Sequence, residues 1–352
     1  MTLKLFTYPV DIIESTSGIQ LVRGANRFII RDERSSTIVR LIVALSSEGI
    51  ILDELISEFS EPDKDIVRSL VEALIERRLA YYADQATAVY GLESPLDIFI
   101  WHFDKPRQVF NADINQASII LVGINLLSIT LFETLNRSGF TQISFIDDPL
   151  LRNIRLFDEL GQIKDLPEIS NLVLSDKALT DFSYNSVLVL PCSDFGGSTA
   201  FRQWNTLAHQ QEFHLLPISM HDLRGFIGPY IIPNSAPCYE CLIARENANL
   251  IDYQEEAVIG EQAHTIQLTT SAYTEAMLQT LAGIAVMEVV KIFTSIMLCP
   301  TSELINISLL EPSITRHPVL KIPRCPCCSP AEWRPDINVS KNEFKQTLLA
   351  SE

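Results

Sequence analysis

Basic residues are in short supply in this sequence. Lys and Arg together number 27 against 44 Asp and Glu, a formal net charge of −17. No Lys/Arg cluster relieves the imbalance. That excludes the basic face needed to bind nucleic acid, and with it long-range attraction to an anionic membrane. At long range such a chain favours a basic peptide or a basic protein partner. Glycine is also sparse, at 13 of 352 residues, with 18 prolines and 47% apolar residues. This excludes low complexity and leaves material for one large core or two medium ones. Nothing repeats at a solenoid period. The first twenty residues lack a basic segment followed by an apolar run, so they predict no signal peptide.

Long apolar runs are equally rare. MLQTLAGIAVMEVVKIFTSIML, residues 277–298, has the length to cross a bilayer. Glu288 and Lys291 lie inside it, and a charge in lipid costs about 2.5 kcal/mol or more. Three residues apart, the two share a helix face and can pair. The run is read as a buried core helix and the chain as cytoplasmic, where cysteines stay reduced.

Cysteine is scarce too, yet four of the seven fall in two pairs. Cys238 and Cys241 form one C-x-x-C in SAPCYECLIAREN, and Cys325 and Cys328 form another in IPRCPCCSP. A redox C-x-x-C stands alone at a helix start, whereas two pairs supply the four thiolates of a tetrahedral structural zinc. Such a site has no open position, so the metal is expected to be structural. Cys327 breaks the second spacing; Cys192 and Cys299 read as core residues. His209, His214 and His221 show no metal-ligand spacing and read as helix-surface or core residues, and Trp101 and Trp204 as packing.

Residues 1–85 read as a self-contained domain. VDIIESTSGIQLVRG and RFIIRD predict short strands, with turns at Ser17-Gly18 and at 24–26. Three amphipathic segments follow: SSTIVRLIVAL, capped by Ser35 or Ser36; GIILDELISEF; and DKDIVRSLVEALIERR. Leu79, Tyr81 and Tyr82 predict a return strand. This is a winged-helix-like α+β pattern. The third helix mixes Asp65, Glu72 and Glu76 with Arg68, Arg77 and Arg78, which favours peptide docking over DNA, with a structural cap as the alternative. Residues 86–117 read as a linker.

Residues 118–335 read as a doubly wound α/β domain, and 336–352 as a peripheral tail. SIILVGINLLSITLFETLNRSGFTQISFIDDP is a β-α-β unit. Gly123 stands at the first glycine of a phosphate loop, but Asn125 and Ser128 replace the next two. Glycines let backbone N–H groups approach phosphates, and Leu126 and Leu127 would crowd that approach. NSVLVLPCSDFGG predicts another buried strand ending at Asp194.

The LVGINLLS turn, the FIDD and CSDF strand ends, IGPYIIPNSAPCYEC and PRCPCC together resemble the ThiF/MoeB superfamily, adenylating domains related to ubiquitin-activating enzymes. Within it the chain resembles ThiF-like proteins of ribosomal-peptide natural-product clusters, including the zinc-binding partner of the YcaO cyclodehydratase. The resemblance implies a nucleotide site at Gly123, Asp147, Asp148 and Asp194, the last at a magnesium position. Only one loop glycine remains and Pro149 follows the two acids, so ATP and Mg2+ are not expected to bind and no residue is assigned a catalytic role. The resemblance further implies an N-terminal element that takes up a precursor's leader peptide as an added strand. Here that maps to Arg27, Phe28, Ile29, Ile30 and Arg31, with the helix residues Val67, Leu70, Val71 and Leu74. The implied partners are the precursor peptide, a YcaO cyclodehydratase, a flavin dehydrogenase and a second copy of the chain. The chain is then expected to be a scaffold subunit without catalysis of its own. The alternative is an adenylating enzyme of the microcin or pantocin type.

Overall fold

A computed structural model of the chain describes residues 3–16, 18–84, 94–164, 166–174, 187–221, 223–235, 237–249 and 272–329. The chain divides into two compact units, Met1–Gln108 and Val109–Glu352. The tail at 336–352 lies outside the described residues.

In the first unit, β2 (Asp11–Ser15), β3 (Gly18–Arg23) and β4 (Asn26–Ile30) form an antiparallel sheet in the order β2-β3-β4. β1 (Lys4–Thr7) pairs instead with β5 (Ala80–Ala83), antiparallel. Helices α1 (Glu33–Ser46), α2 (Leu52–Ser57) and α3 (Lys64–Glu76) close the core. Leu21, Ile42, Leu55, Val67 and Leu74 are fully buried in it. The cap of α1 is neither Ser35 nor Ser36: the Asp32 carboxylate accepts from the Ser35 amide. An aspartate one turn earlier meets the first free amides and also favours the positive end of the helix dipole.

The stretch 94–116, read as linker, instead carries two helices, α4 (Pro95–His102) and α5 (Arg107–Gln116). Ser94 and Asp97 cap α4 reciprocally. Short helices with little amphipathic contrast leave a weak periodic signal. α4 belongs to the first unit, where Trp101 Nε1 donates to the Arg78 carbonyl at 3.2 Å. The Arg23 guanidinium lies over the rings of Tyr8 and Trp101.

The second unit is built on an eight-stranded mixed sheet. β6 (Ser118–Val122) lies between β7 (Gln142–Ile146) and β8 (Val187–Ser193), all parallel. β9 (His214–Leu215) and β10 (Ile218–His221) also pair parallel with β8. From β10 the sheet turns antiparallel through β11 (Arg224–Ile227), β12 (Glu303–Ser308) and β13 (Ser313–Pro318). Among the described residues, α6 (Leu126–Arg137), α7 (Pro167–Leu172), α8 (Ser198–Gln211) and α9 (Tyr239–Asn249) belong to the unit with most of α5, and α10 (Glu275–Thr294) packs on α6. β8 is buried at every position, as a strand covered on both faces should be.

α10 is the helix long and apolar enough for a bilayer, and half of its apolar window is buried within the unit. Glu288 is 4% exposed. It pairs with Lys291 at 2.5 Å and with Arg316 of β13 at 2.9 Å. The buried carboxylate therefore has two cationic partners, which a charge in such a place requires.

Candidate metal centre and ligand-binding regions

α9 begins one residue after Cys238, and its first turn carries Cys241. The Cys241 amide donates to the Cys238 carbonyl at 3.0 Å, which brings the two sulfurs onto one side of the helix start. The second pair lies in a turn closed by Ser329 N donating to Cys325 O at 3.1 Å. The sulfurs of Cys238 and Cys325 are 3.6 Å apart, those of Cys241 and Cys328 3.6 Å, and those of Cys238 and Cys241 4.0 Å. All four lie within 4.8 Å of one another and all four are buried. A Zn–S bond of about 2.3 Å sets sulfurs about 3.8 Å apart at the corners of a tetrahedron. Four cysteines at these separations fit a structural zinc ion.

Two side chains of α8 face this cluster: Asn205, which the sequence did not single out, and His209, read from sequence as a helix-surface or core residue without a metal-ligand role. Asn205 accepts from the Tyr239 amide and donates to Cys327 Sγ at 3.1 Å. One turn on, the His209 ring nitrogen lies within 4.8 Å of the sulfurs of Cys238 and Cys327. The i, i+4 spacing of Asn205 and His209 on an otherwise apolar helix face was the available signal. The Cys238 thiol is pulled well below its ordinary range, first by a hydrogen bond from Cys327. Ile322 N donates to Cys241 Sγ at 3.4 Å. These contacts orient the sulfurs and spread their charge.

The start of α6 is where the resemblance implies phosphates. Gly123 has φ +93°, and a Cβ there would lie 2.5 Å from Leu151 Cβ and 2.9 Å from the Cys192 carbonyl. Asn125 is the N-cap: it accepts from Ser128 N, and the Ser128 hydroxyl accepts from Asn125 N. The Asn125 amide also donates to the carbonyls of Leu151 at 3.0 Å and Cys192 at 2.7 Å. It is fully buried. Asn125 thus fills the turn with its side chain.

The acidic residues are occupied likewise. Asp194 Oδ2 accepts from Leu126 N at 3.0 Å, Asn153 Nδ2 at 2.9 Å and the Tyr273 hydroxyl at 2.8 Å. Burial and the neighbouring Asp194 carboxylate push the Tyr273 phenol up, so it stays a donor. Asp194 Oδ1 is buried and has no hydrogen-bond partner among the described residues. Asp147 takes both arms of the Arg152 guanidinium, at 2.7 and 2.6 Å. Asp148 accepts from Leu150 N and from Trp204 Nε1 at 2.7 Å. The structure does bring Gly123, Asp147, Asp148 and Asp194 to one end of the sheet, where they bond chiefly to each other's neighbours. Farther along the sheet, Tyr230 and His214 share a 2.7 Å hydrogen bond, and burial lowers the affinity of His214 for a proton.

In the first unit β4 pairs with β3 and, among the described residues, with no strand on its other side. Phe28 and Ile30 turn toward the core, while Arg27 and Ile29 are exposed, and Arg31 is exposed just beyond. The helix residues fall out differently from the expectation. Val67, Leu70, Val71 and Leu74 are at most 8% exposed and belong to the core. They hold α3 in place and offer no surface. The exposed flank of α3 is Asp65, Arg68, Ser69, Glu72 and Glu76. An apolar stripe read from sequence is the same whether it meets the protein's own core or a visitor, and here it meets α1, α2 and β5.

No family model matches the chain, and no curated protein does. Solved structures do. The heterocyclase TruD is 14% identical with a TM-score of 0.59; the match covers 93% of this chain and 43% of TruD. This chain therefore spans less than half of TruD. E. coli MccB crystallised with MccA is 14% identical with a TM-score of 0.64, covering 92% of this chain and 99% of MccB. MccB with ATP gives 14%, 0.63 and the same shares. At these identities the likeness is one of fold: this chain folds as MccB does over nearly the whole of both, and as a part of TruD does.

Proposed function

We propose that this chain binds the leader segment of a ribosomally made precursor peptide on its N-terminal unit. It presents the remainder to a separate YcaO-type ATP-dependent cyclodehydratase. The observation that carries the reading is the self-occupied start of α6. The amides and acids that would cradle phosphates are bonded to Asn125, Asn153, Arg152, Trp204 and Tyr273. A phosphate would have to break these bonds before it could use the helix end. An exposed edge at β4 supports the peptide half of the reading, since an added strand gains main-chain hydrogen bonds there. Tethering by the leader makes the next step effectively intramolecular. Zinc at the four cysteines is structural in this reading. A flavin dehydrogenase and a second copy of the chain are further partners.

A second reading has a specific observation behind it. Asp194 Oδ1 is buried without a described partner, and the chain matches nearly the full length of MccB, a protein crystallised with ATP. In that reading the chain adenylates a peptide carboxylate, with Asp194 holding the magnesium ion.

Calorimetry decides between them. The purified chain is titrated with Mg-ATP, then with the peptide encoded by the neighbouring precursor gene. The scaffold reading expects peptide binding with no ATP heat. Micromolar ATP binding, with AMP or pyrophosphate released on adding peptide, would establish the enzyme instead.

A further inference from the structure

The arginines of the first unit fall into three groups. Arg34 pairs with Asp63, Arg40 with Glu14, Arg68 with Asp65 and Arg107 with Asp97. Arg23 is buried against aromatic rings. Arg27, Arg31, Arg77 and Arg78 are exposed and have no carboxylate partner among the described residues. In a chain with 17 more acids than bases, four guanidinium groups in one place without a described carboxylate partner need a reason.

All four belong to the surroundings of β4. Arg27 and Arg31 sit on its exposed side and just past its end. The Arg77 guanidinium lies 4.7 Å from the centre of the Phe28 ring, and the Arg77 carbonyl accepts from Asn26 Nδ2 at 2.9 Å. Arg78 follows it and has φ +58°, the left-handed region that a side chain enters only when held there. Its guanidinium donates to the His102 carbonyl at 3.5 Å. Beside Arg77 and Arg78 lies a depression of about 400 Å3, lined by these two with Asn26, Glu76, Trp101 and His102.

We propose that β4 receives an extended acidic peptide segment, with its acidic side chains on Arg27 and Arg31 along one face and on Arg77 and Arg78 along the other. A strand added at the free edge would alternate its side chains between those two faces. Stacking on Phe28 holds Arg77 in place, so little freedom is lost when it meets a carboxylate. The main-chain edge selects a peptide over other polyanions, because only a peptide can extend the sheet. The inference reverses, for this surface, the basic partner that net charge favours, because at contact distance local charge outweighs the screened total. It rests on the peptide-binding reading above and names the chemistry of what is bound.

The test exposes the full-length chain to a displayed library of random 12-residue peptides at about 0.1 M salt. The retained pool should be enriched in Asp and Glu. The double variant Arg27→Glu and Arg31→Glu should bind that pool about tenfold more weakly and should select Lys- and Arg-bearing peptides instead. Arg77→Glu should act likewise. Arg137→Glu, in the other unit, should change nothing. A neutral or basic pool, an acidic pool indifferent to these reversals, or no retained pool would overturn the proposal. So would preference for a single-stranded oligonucleotide over every peptide. If the genomic precursor binds but ignores the reversals, the acidic inference fails and the leader reading stands. If acidic peptides bind as described and the precursor does not, the leader reading fails alone.

Discussion

The start of α6 and the edge of β4 are two places where resemblance puts a ligand, and they have opposite chemistry. At α6, Asn125 reaches two carbonyls and its own cap partner, Asp194 takes three donors on one oxygen, and Asp147 is closed by Arg152. At β4, among the described residues, a strand edge lies unpaired and four arginines lack acids. A ligand adds free energy only by making bonds that were absent or better than those it breaks. The first place has nearly all its bonds made and the second has few. Burial sharpens the contrast, since a buried polar group must find a partner in its own chain when no ligand is there.

The largest effect expected tests whether the closed end owes its shape to the metal. Cys241→Ser should lose bound zinc, measured by metal analysis, and should lower the melting temperature of the second unit by about 10 °C or more. Peptide binding by the first unit should persist. Next comes Gly123→Ala. The turn there has positive φ, and the added methyl meets Leu151 and a backbone carbonyl. A loss of about 2–4 kcal/mol by urea unfolding is expected. Asn125→Gly with Ser128→Gly opens the closed end directly by restoring the two glycines. It should cost about 1–3 kcal/mol through the lost cap and buried hydrogen bonds, without creating ATP binding by calorimetry. Tight ATP binding by this variant would show that Asn125 and Ser128 alone close the site. The smallest effect separates the two kinds of arginine. Arg34→Ala should lower stability only slightly, by urea unfolding, through its lost surface pair. Arg27→Ala should leave stability unchanged, since it has no pair to lose.

The sequence made some of this legible and hid the rest for physical reasons. The four cysteines were readable because ligand chemistry constrains spacing within each pair, and the metal fit then joins the pairs. The β-α-β unit at 118–146 was readable from an unbroken apolar strand followed by a helical period. Glu288 and Lys291 announced their pairing through spacing; Arg316, their third member, comes from β13 and gave no local sign. The closure of the α6 start was hidden for the same reason. Asn125 looked like damage to a phosphate loop, whereas its partners Leu151 and Cys192 lie 26 and 67 residues away. Glycine loss was visible in the sequence, but what filled the space was not. The β1–β5 pairing also joins distant segments, from Lys4 to Ala83. The burial of Val67, Leu70, Val71 and Leu74 shows the limit of periodicity, which finds an apolar face without saying what covers it.

The cysteine pairs are 87 residues apart along the chain. A metal bound by both acts on the unfolded polypeptide as a cross-link closing a loop of that length. By chain-entropy arithmetic such a link is worth about 4–5 kcal/mol, much as a disulfide over the same span would be. Unlike a disulfide it can be withdrawn without a redox reaction, by a chelator or by metal scarcity. The durability of the second unit would then follow the zinc supply of its surroundings, leaving the first unit, which carries none of the four ligands, outside that dependence.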